Sequence, residues 1–322
     1  MPLPRTADEL AEIILERWRW FAYRVRFHAW TTHVLPQVLD TLGEFARLMR
    51  LDRPIGTWLL MWPTLWALWI SGRGKPDPRV FVIFVVGVVL MRSAGCVIND
   101  YADRAFDPHV ERTKDRPIAA GRITPQEALV LFAVLAFTAL ALALQLNKLT
   151  LLYAVVGAFL AISYPFIKRM WSIPQLYLGL AFGWGIPMAF AAQLEHVPRV
   201  AWLLFVANVL WVTVYDTMYA MVDRDDDLRI GVRSTAILFG DSDRHIIALL
   251  QALTLISLVL VGHIMRMGGW YWFGLFIGAC LFARQLWWIR HRDRAACFHA
   301  FLDNRHFGTA IFVGILLNYT FK

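Results

Sequence analysis

Residues 79–107 read RVFVIFVVGVVLMRSAGCVINDYADRAFD: about twenty apolar positions that end in a cluster of acids. Residues 200–227, VAWLLFVANVLWVTVYDTMYAMVDRDDD, repeat that plan. Neither run alternates with period two, so neither reads as a strand. Each is long enough for a helix to cross a hydrocarbon core, which takes about 20 mostly apolar residues. Seven further segments of this kind lie at 55–71, 126–146, 149–167, 174–193, 246–265, 270–289 and 307–321. With 58% hydrophobic and 17% charged residues among 322 and a mean hydropathy of +0.51, the chain departs from soluble composition. It is expected to be an all-α polytopic membrane protein: nine transmembrane helices around a central cavity, since helices satisfy their own backbone in lipid. A transmembrane barrel would show short alternating segments instead.

Outward from the apolar runs, the acids carry the next signal. Aligning Asp103 with Asp223 (223 − 103 = 120) also aligns Arg104 with Arg224 and Asp107 with Asp227. Carboxylates at i and i+4 share a helix face. Two such faces at the end of one bundle hold uncompensated negative charge, which favours divalent cations bound through oxygen, and Mg²⁺ takes one or two carboxylates plus substrate phosphate oxygens. Asp103, Asp107, Asp223 and Asp227 are therefore the expected metal ligands. Asp100 and Asp216 follow, with Asn99 and Tyr219 at the same mouth, while Asp225 and Asp226 fall off the face. The plainer reading of one such pair is a charged helix end. Two in matching context, each entering a long basic loop, favour a shared site for a polyanion.

The net charge of +8 is a topology signal, and no nucleic-acid partner is expected. Placing the N-terminus in the cytoplasm puts the head, both acidic loops (99–125 and 223–245), Lys168-Arg169 and the stretch 290–305 on the inner side. Arg112, Lys114, Arg116, Lys168 and Arg169 would then supply positive charge to a phosphate group. Arg92 lies inside a span, where an arginine is costly unless it faces a cavity or a partner. Arg50 and Arg53 stand at the entrance of the first span. Cys96, Cys280 and Cys297 have no metal-ligand or disulfide spacing, and the nine histidines form no zinc motif. Residues 1–38, with the cationic and aromatic run 17–27, differ from the rest and suit a helix lying in the headgroup region. The membrane domain spans 39–322.

The two acidic signatures resemble those of the UbiA-type intramembrane aromatic prenyltransferases. RLDRPIG at 50–56, WPTLW at 62–66, RSAGC at 92–96, YPF at 164–166 and GWGIPMAF at 183–190 are similar to the 4-hydroxybenzoate polyprenyltransferase branch. The resemblance runs from about residue 39 to the end. It implies nine helices around a central cavity and a role in ubiquinone synthesis. It also implies Mg²⁺ and diphosphate binding by Asp103, Asp107, Asp223 and Asp227, and diphosphate contact by Arg169. A polyprenyl diphosphate and 4-hydroxybenzoate are the implied substrates, in a bacterial inner membrane with the acidic loops cytoplasmic. Ionisation of the allylic carbon–oxygen bond would leave a carbocation that the ring carbon ortho to the phenol hydroxyl attacks, with Tyr101, Tyr164 and Tyr219 offering ring faces. Arg92, or failing it Arg50 or Arg53, would hold the acceptor carboxylate. Alternatives are a haem or chlorophyll-precursor acceptor or, from another class, a secondary transporter. Against the last, the acids sit at the mouth rather than the midplane, and the repeat preserves orientation.

Overall fold

The structure, a computed structural model, describes residues 15–24, 35–109, 113–167, 171, 173–231 and 233–321. Helix α1 covers 15–24. It is followed by α2 (Leu35–Leu48), α3 (Ile55–Ser71), α4 (Pro78–Asp103), α5 (Pro125–Ala143), α6 (Lys148–Ile167), α7 (Pro174–Gly183) and α8 (Gly185–Leu194). Then come α9 (Arg199–Ile230), α10 (Thr235–Phe239), α11 (Asp243–Ile264), α12 (Gly269–Trp288) and α13 (Arg294–Thr320). No strand occurs among the described residues.

Among the described residues, seven stretches are long and apolar enough to cross a membrane: α4, α5, α6, α7 with α8, α9, α10 with α11, and α12 with the turn after it. The two other expected spans fall on α3, which has 17 residues, and on the second half of α13, whose first half carries Arg294, Asp303 and Arg305. The single span expected at 174–193 is broken at Trp184. Pro187 has no N–H to offer the Gly183 carbonyl one turn back, so the helix bends there. Start signals are local. The Asp77 side chain accepts from Val80 N at 2.9 Å to open α4, and Thr124 with Glu127 forms a capping box on α5. Such caps contribute about 1 kcal/mol each.

α9 lies at the centre and packs on α7, α11 and α13. Its Trp211 stacks on Trp66 of α3 at 5.2 Å and meets Phe307 of α13. Phe307 in turn stacks on Phe282 of α12 at 4.0 Å. Two buried indole N–H groups find acceptors here: Trp66 donates to the Gly308 carbonyl (3.1 Å) and Trp211 to Asn304 (2.8 Å). α5 and α6 stand on the rim with Phe137, Val155 and Phe159 exposed, the surface a bilayer would cover. Of the segment 1–38, only 15–24 and the start of α2 are described, and α2 runs through the 38/39 boundary expected from sequence.

Candidate active site

The C-terminal ends of α4 and α9 open into one cavity of about 1460 Å³. Asn99, Asp100, Asp103 and Asp107 line one side of its mouth, and Asp216, Tyr219, Asp223 and Asp227 line the other. Behind the mouth the wall turns apolar, with Phe84, Val88, Phe132, Leu140 and Phe182 among its residues. A polar mouth on an apolar body suits an amphiphile with a charged head.

The second acidic pair sits as the spacing requires: α9 continues to Ile230, so Asp223 and Asp227 share a face. The first does not. α4 ends at Asp103, and Asp107 falls in a separate 3₁₀ turn, 107–109. Pro108 is the reason, because the residue before a proline is disfavoured in the helical region and proline gives no N–H to the ladder. Asp107 still lines the cavity, brought there by Arg116, which donates to Asp107 Oδ2 at 2.9 Å and to Asp100 Oδ1 at 3.0 Å. Arg50 completes the group with bonds of 2.9 and 2.7 Å to the two Asp100 oxygens. Asp100 is therefore occupied by two guanidinium groups. It ties the end of α4 to the α2–α3 turn and to the loop after it. Burial raises the Asp107 carboxyl above its ordinary range; Arg116 opposes that rise, and the charges of Asp100 and Asp103 add to it. Asn99 donates to Asp103 Oδ2 at 3.1 Å, one turn along the same face.

The second cluster is braced from outside. Arg224 reaches the buried Asp243 at 3.7 Å, and Arg292 grips the same carboxylate at 2.8 Å. Arg294 pairs with Asp225 and Asp226 at 3.2 and 3.4 Å, although Asp226 also reaches the cavity wall. Tyr219 packs on Phe301 at 4.8 Å. Much of the expected second loop, 223–245, is helical: the end of α9, α10 and the start of α11.

Arg92 lines the cavity among apolar neighbours. Its side chain lies across Gly56 of α3, where any Cβ would collide with the guanidinium, and stands 5.9 Å from the Phe182 ring. No hydrogen bond or ion pair to Arg92 is found among the described residues. Arg53 lines the mouth but is largely exposed beside Asp52. Lys114 is described and is not in the wall. Arg112, Lys168 and Arg169 lie outside the described residues. Sequence reading passed over Tyr215 and Gln175, both in the wall, which Arg233 of the second basic loop also lines. Tyr215 adjoins Asp216 in the second signature, a signal that was available, whereas Gln175 and Arg233 are placed by the turn of the chain around α10.

The donor set fits a hard divalent cation, since every candidate ligand is a carboxylate or amide oxygen. Among the described residues no three acids, histidines or cysteines converge into a ready-made cage. That arrangement suits a cation whose shell is completed by phosphate oxygens and water.

Known proteins carry the same plan. The chain is 59% identical over 282 residues (88% of it and 97% of the relative) to the 4-hydroxybenzoate octaprenyltransferase of Methylococcus capsulatus. It is 54% identical over 290 residues (90% and 97%) to that of Pseudomonas fluorescens. Among solved structures, a UbiA homolog from Aeropyrum pernix matches with a TM-score of 0.71 at 24% identity, covering 81% of this chain and 97% of that one. A UbiA homolog from Archaeoglobus fulgidus bound to GPP and Mg²⁺ matches with a TM-score of 0.61 at 15% identity, covering 87% and 100%. The model of the UbiA prenyltransferase family matches residues 60–311, and the chain belongs to that family.

Proposed function

We propose that this protein transfers a polyprenyl group from an allylic polyprenyl diphosphate to the ring carbon ortho to the hydroxyl of 4-hydroxybenzoate, releasing diphosphate, as a step of ubiquinone synthesis. The observation that carries the reading is the single cavity joining both acidic clusters, the intramembrane Arg92 and a long apolar wall, in a chain 54 to 59% identical to 4-hydroxybenzoate octaprenyltransferases.

Asp103 and Asp223, with Asp107 and Asp227, would hold Mg²⁺ together with the diphosphate, and Asn99 would orient Asp103. When bound, the cation neutralises the diphosphate and eases its departure. Arg116, already at the mouth, would share the charge that develops on the leaving group, with Arg112, Lys168 and Arg169 as further candidates from sequence. The carbon–oxygen bond breaks with its electron pair going to diphosphate. The ring carbon supplies the pair for the new carbon–carbon bond, and loss of its proton restores the aromatic ring. The apolar wall excludes water that would capture the allylic cation. Arg92 would take the carboxylate of the acceptor, which cannot be buried without a charged or multiply donating partner.

On the charge bias, the acidic mouth faces the cytoplasm and the membrane is the bacterial inner membrane. The test is direct: membranes holding the protein, given labelled 4-hydroxybenzoate and a prenyl diphosphate, should form a prenylated product with Mg²⁺ and none after chelation. Absence of product with Mg²⁺ would reject the reading.

A further inference from the structure

α2 is too short to span a membrane: 14 residues rise about 21 Å, against a core of about 30 Å. Its apolar positions Leu35, Val38, Leu39 and Leu42 follow the i, i+3, i+4, i+7 rule of a single face. Val38, Leu39 and Leu42 are 45%, 57% and 57% exposed. The helix meets the protein only toward its end, where Glu44 accepts from Arg122 at 2.8 Å. Gln37, Asp40 and Thr41 on its other side are exposed as well, so this part of α2 stands off the bundle with one oily side and one polar side.

Its height is fixed. Leu48 is buried with Ala94 and Val97 in the last turns of α4, and two residues on Arg50 holds Asp100. Both contacts stand at the level where the α4 span ends in the acidic mouth, which is where acyl chains give way to headgroups. Arg47, which pairs with Glu44 at 2.6 Å, and Arg53, 3.7 Å from Asp52, are 60% and 82% exposed and project from the end of α2 and the turn after it. Upstream, helix α1 has the same character, with Leu15, Trp18 and Phe21 exposed among Arg17, Arg19 and Arg24. An apolar stripe flanked by arginines matches a bilayer surface carrying anionic phosphate.

We propose that α2 lies in the membrane plane at the acidic mouth, with its Leu35, Val38, Leu39 and Leu42 stripe sunk to the acyl-chain boundary and Arg47 and Arg53 on the phosphates of anionic phospholipids. The inference is independent of the acceptor named above. It places α2 at the lip past which any diphosphate-bearing lipid must move, since Arg47 and Arg53 also line the cavity.

The test uses the full chain in vesicles, with single spin labels at positions 38, 39 and 42 and, as controls, at 37, 40 and 41, after replacement of Cys96, Cys280 and Cys297. The first three labels should be reached by oxygen and shielded from a water-soluble nickel chelate, and the controls should show the opposite. The label at 39 should sit deeper with phosphatidylglycerol present than in phosphatidylcholine alone, and R47Q with R53Q should erase that difference. Nickel access along the stripe would overturn the proposal. So would shielding from both reagents, which means protein covers it, whether a second copy or residues 1–34. Equal depth in both vesicles would overturn the role of the arginines. If the cysteine-free protein does not fold, cyanophenylalanine at 39 and 42 in the otherwise native chain reads the same contrast by infrared frequency: hydrocarbon supports the proposal and water overturns it.

Discussion

At the scale of the residue, the aspartates of the two signatures are given different work. Asp100 is locked by Arg50 and Arg116, while Asp103 and, across the cavity, Asp223 face the proposed cation. Asp103→Asn and Asp223→Asn should each lower kcat/KM by about 10²-fold or more, the scale for losing a charge aimed at the reacting group, with the detergent-solubilised protein still folded. Asp100→Asn should do the reverse in emphasis. It leaves two guanidinium groups short of their partner, which costs about 2–3 kcal/mol, below the full penalty because both arginines are partly exposed. A thermal melt showing Asp100→Asn as stable as the parent would reject that division. Arg92 supplies a second prediction. A charge-assisted hydrogen bond is worth about 1.5–3 kcal/mol, so Arg92→Met should raise the KM for 4-hydroxybenzoate by about tenfold to a hundredfold and leave that for prenyl diphosphate nearly unchanged. Equal loss for both substrates would move Arg92 to the diphosphate. Its place in the cavity wall was legible from sequence, because an arginine inside a span needs a polar cavity or a partner. That Arg50 is committed to Asp100 was not, since the pairing joins positions fifty residues apart.

At the scale of the element, periodicity located the spans because lipid selects for apolar length, but it missed where helices stop. The same-face reading of Asp103 and Asp107 failed at Pro108, and the expected span 174–193 bends at the turn set by Pro187. In both cases backbone chemistry local to one proline outweighs the apolar pattern. Acidic loops read as irregular from their charge are partly helical, because helix ends at a membrane surface carry charged residues without ceasing to be helix. Close packing is just as local. α12 and α13 touch at Gly274 and Gly314, where a Cβ on Gly274 would stand 2.7 Å from the Ala310 carbonyl oxygen and 2.9 Å from Gly314 Cα. Gly274→Ala should therefore cost about 1–3 kcal/mol, as overpacking does, whereas Gly87→Ala on α4, with nothing within 4 Å, should match or exceed the parent through helix propensity. Apparent melting temperatures of the two variants decide it, and equal values would show that α12 and α13 separate freely.

At the scale of the whole molecule, the bundle turns two distant sequence repeats into one mouth and gives that mouth a side. Tags placed in 104–109 or 240–242 should be reached from the cytoplasm and one at 195–197 only from outside; acidic loops found outside would contradict the charge bias. The cavity also has a length that sequence could not show, because it is made by helices that barely meet. α5 and α6 touch sparingly, yet Ala136, Ala139 and Ala143 of one and Ala154, Ala158 and Ala161 of the other all line the wall. Small side chains on both leave a groove beside the lipid, and that groove gives a long isoprenoid tail a path out of the cavity. A bulky side chain in that groove should shorten the tail the enzyme accepts while leaving the polar mouth intact. Ala158→Phe is therefore expected to favour short prenyl diphosphates over long ones by about tenfold or more, the scale of overpacking by 1–3 kcal/mol, with the KM for 4-hydroxybenzoate unchanged. Competition between a short and a long donor in one reaction measures this, and an unchanged product ratio would mean that the tail leaves the bundle by another wall.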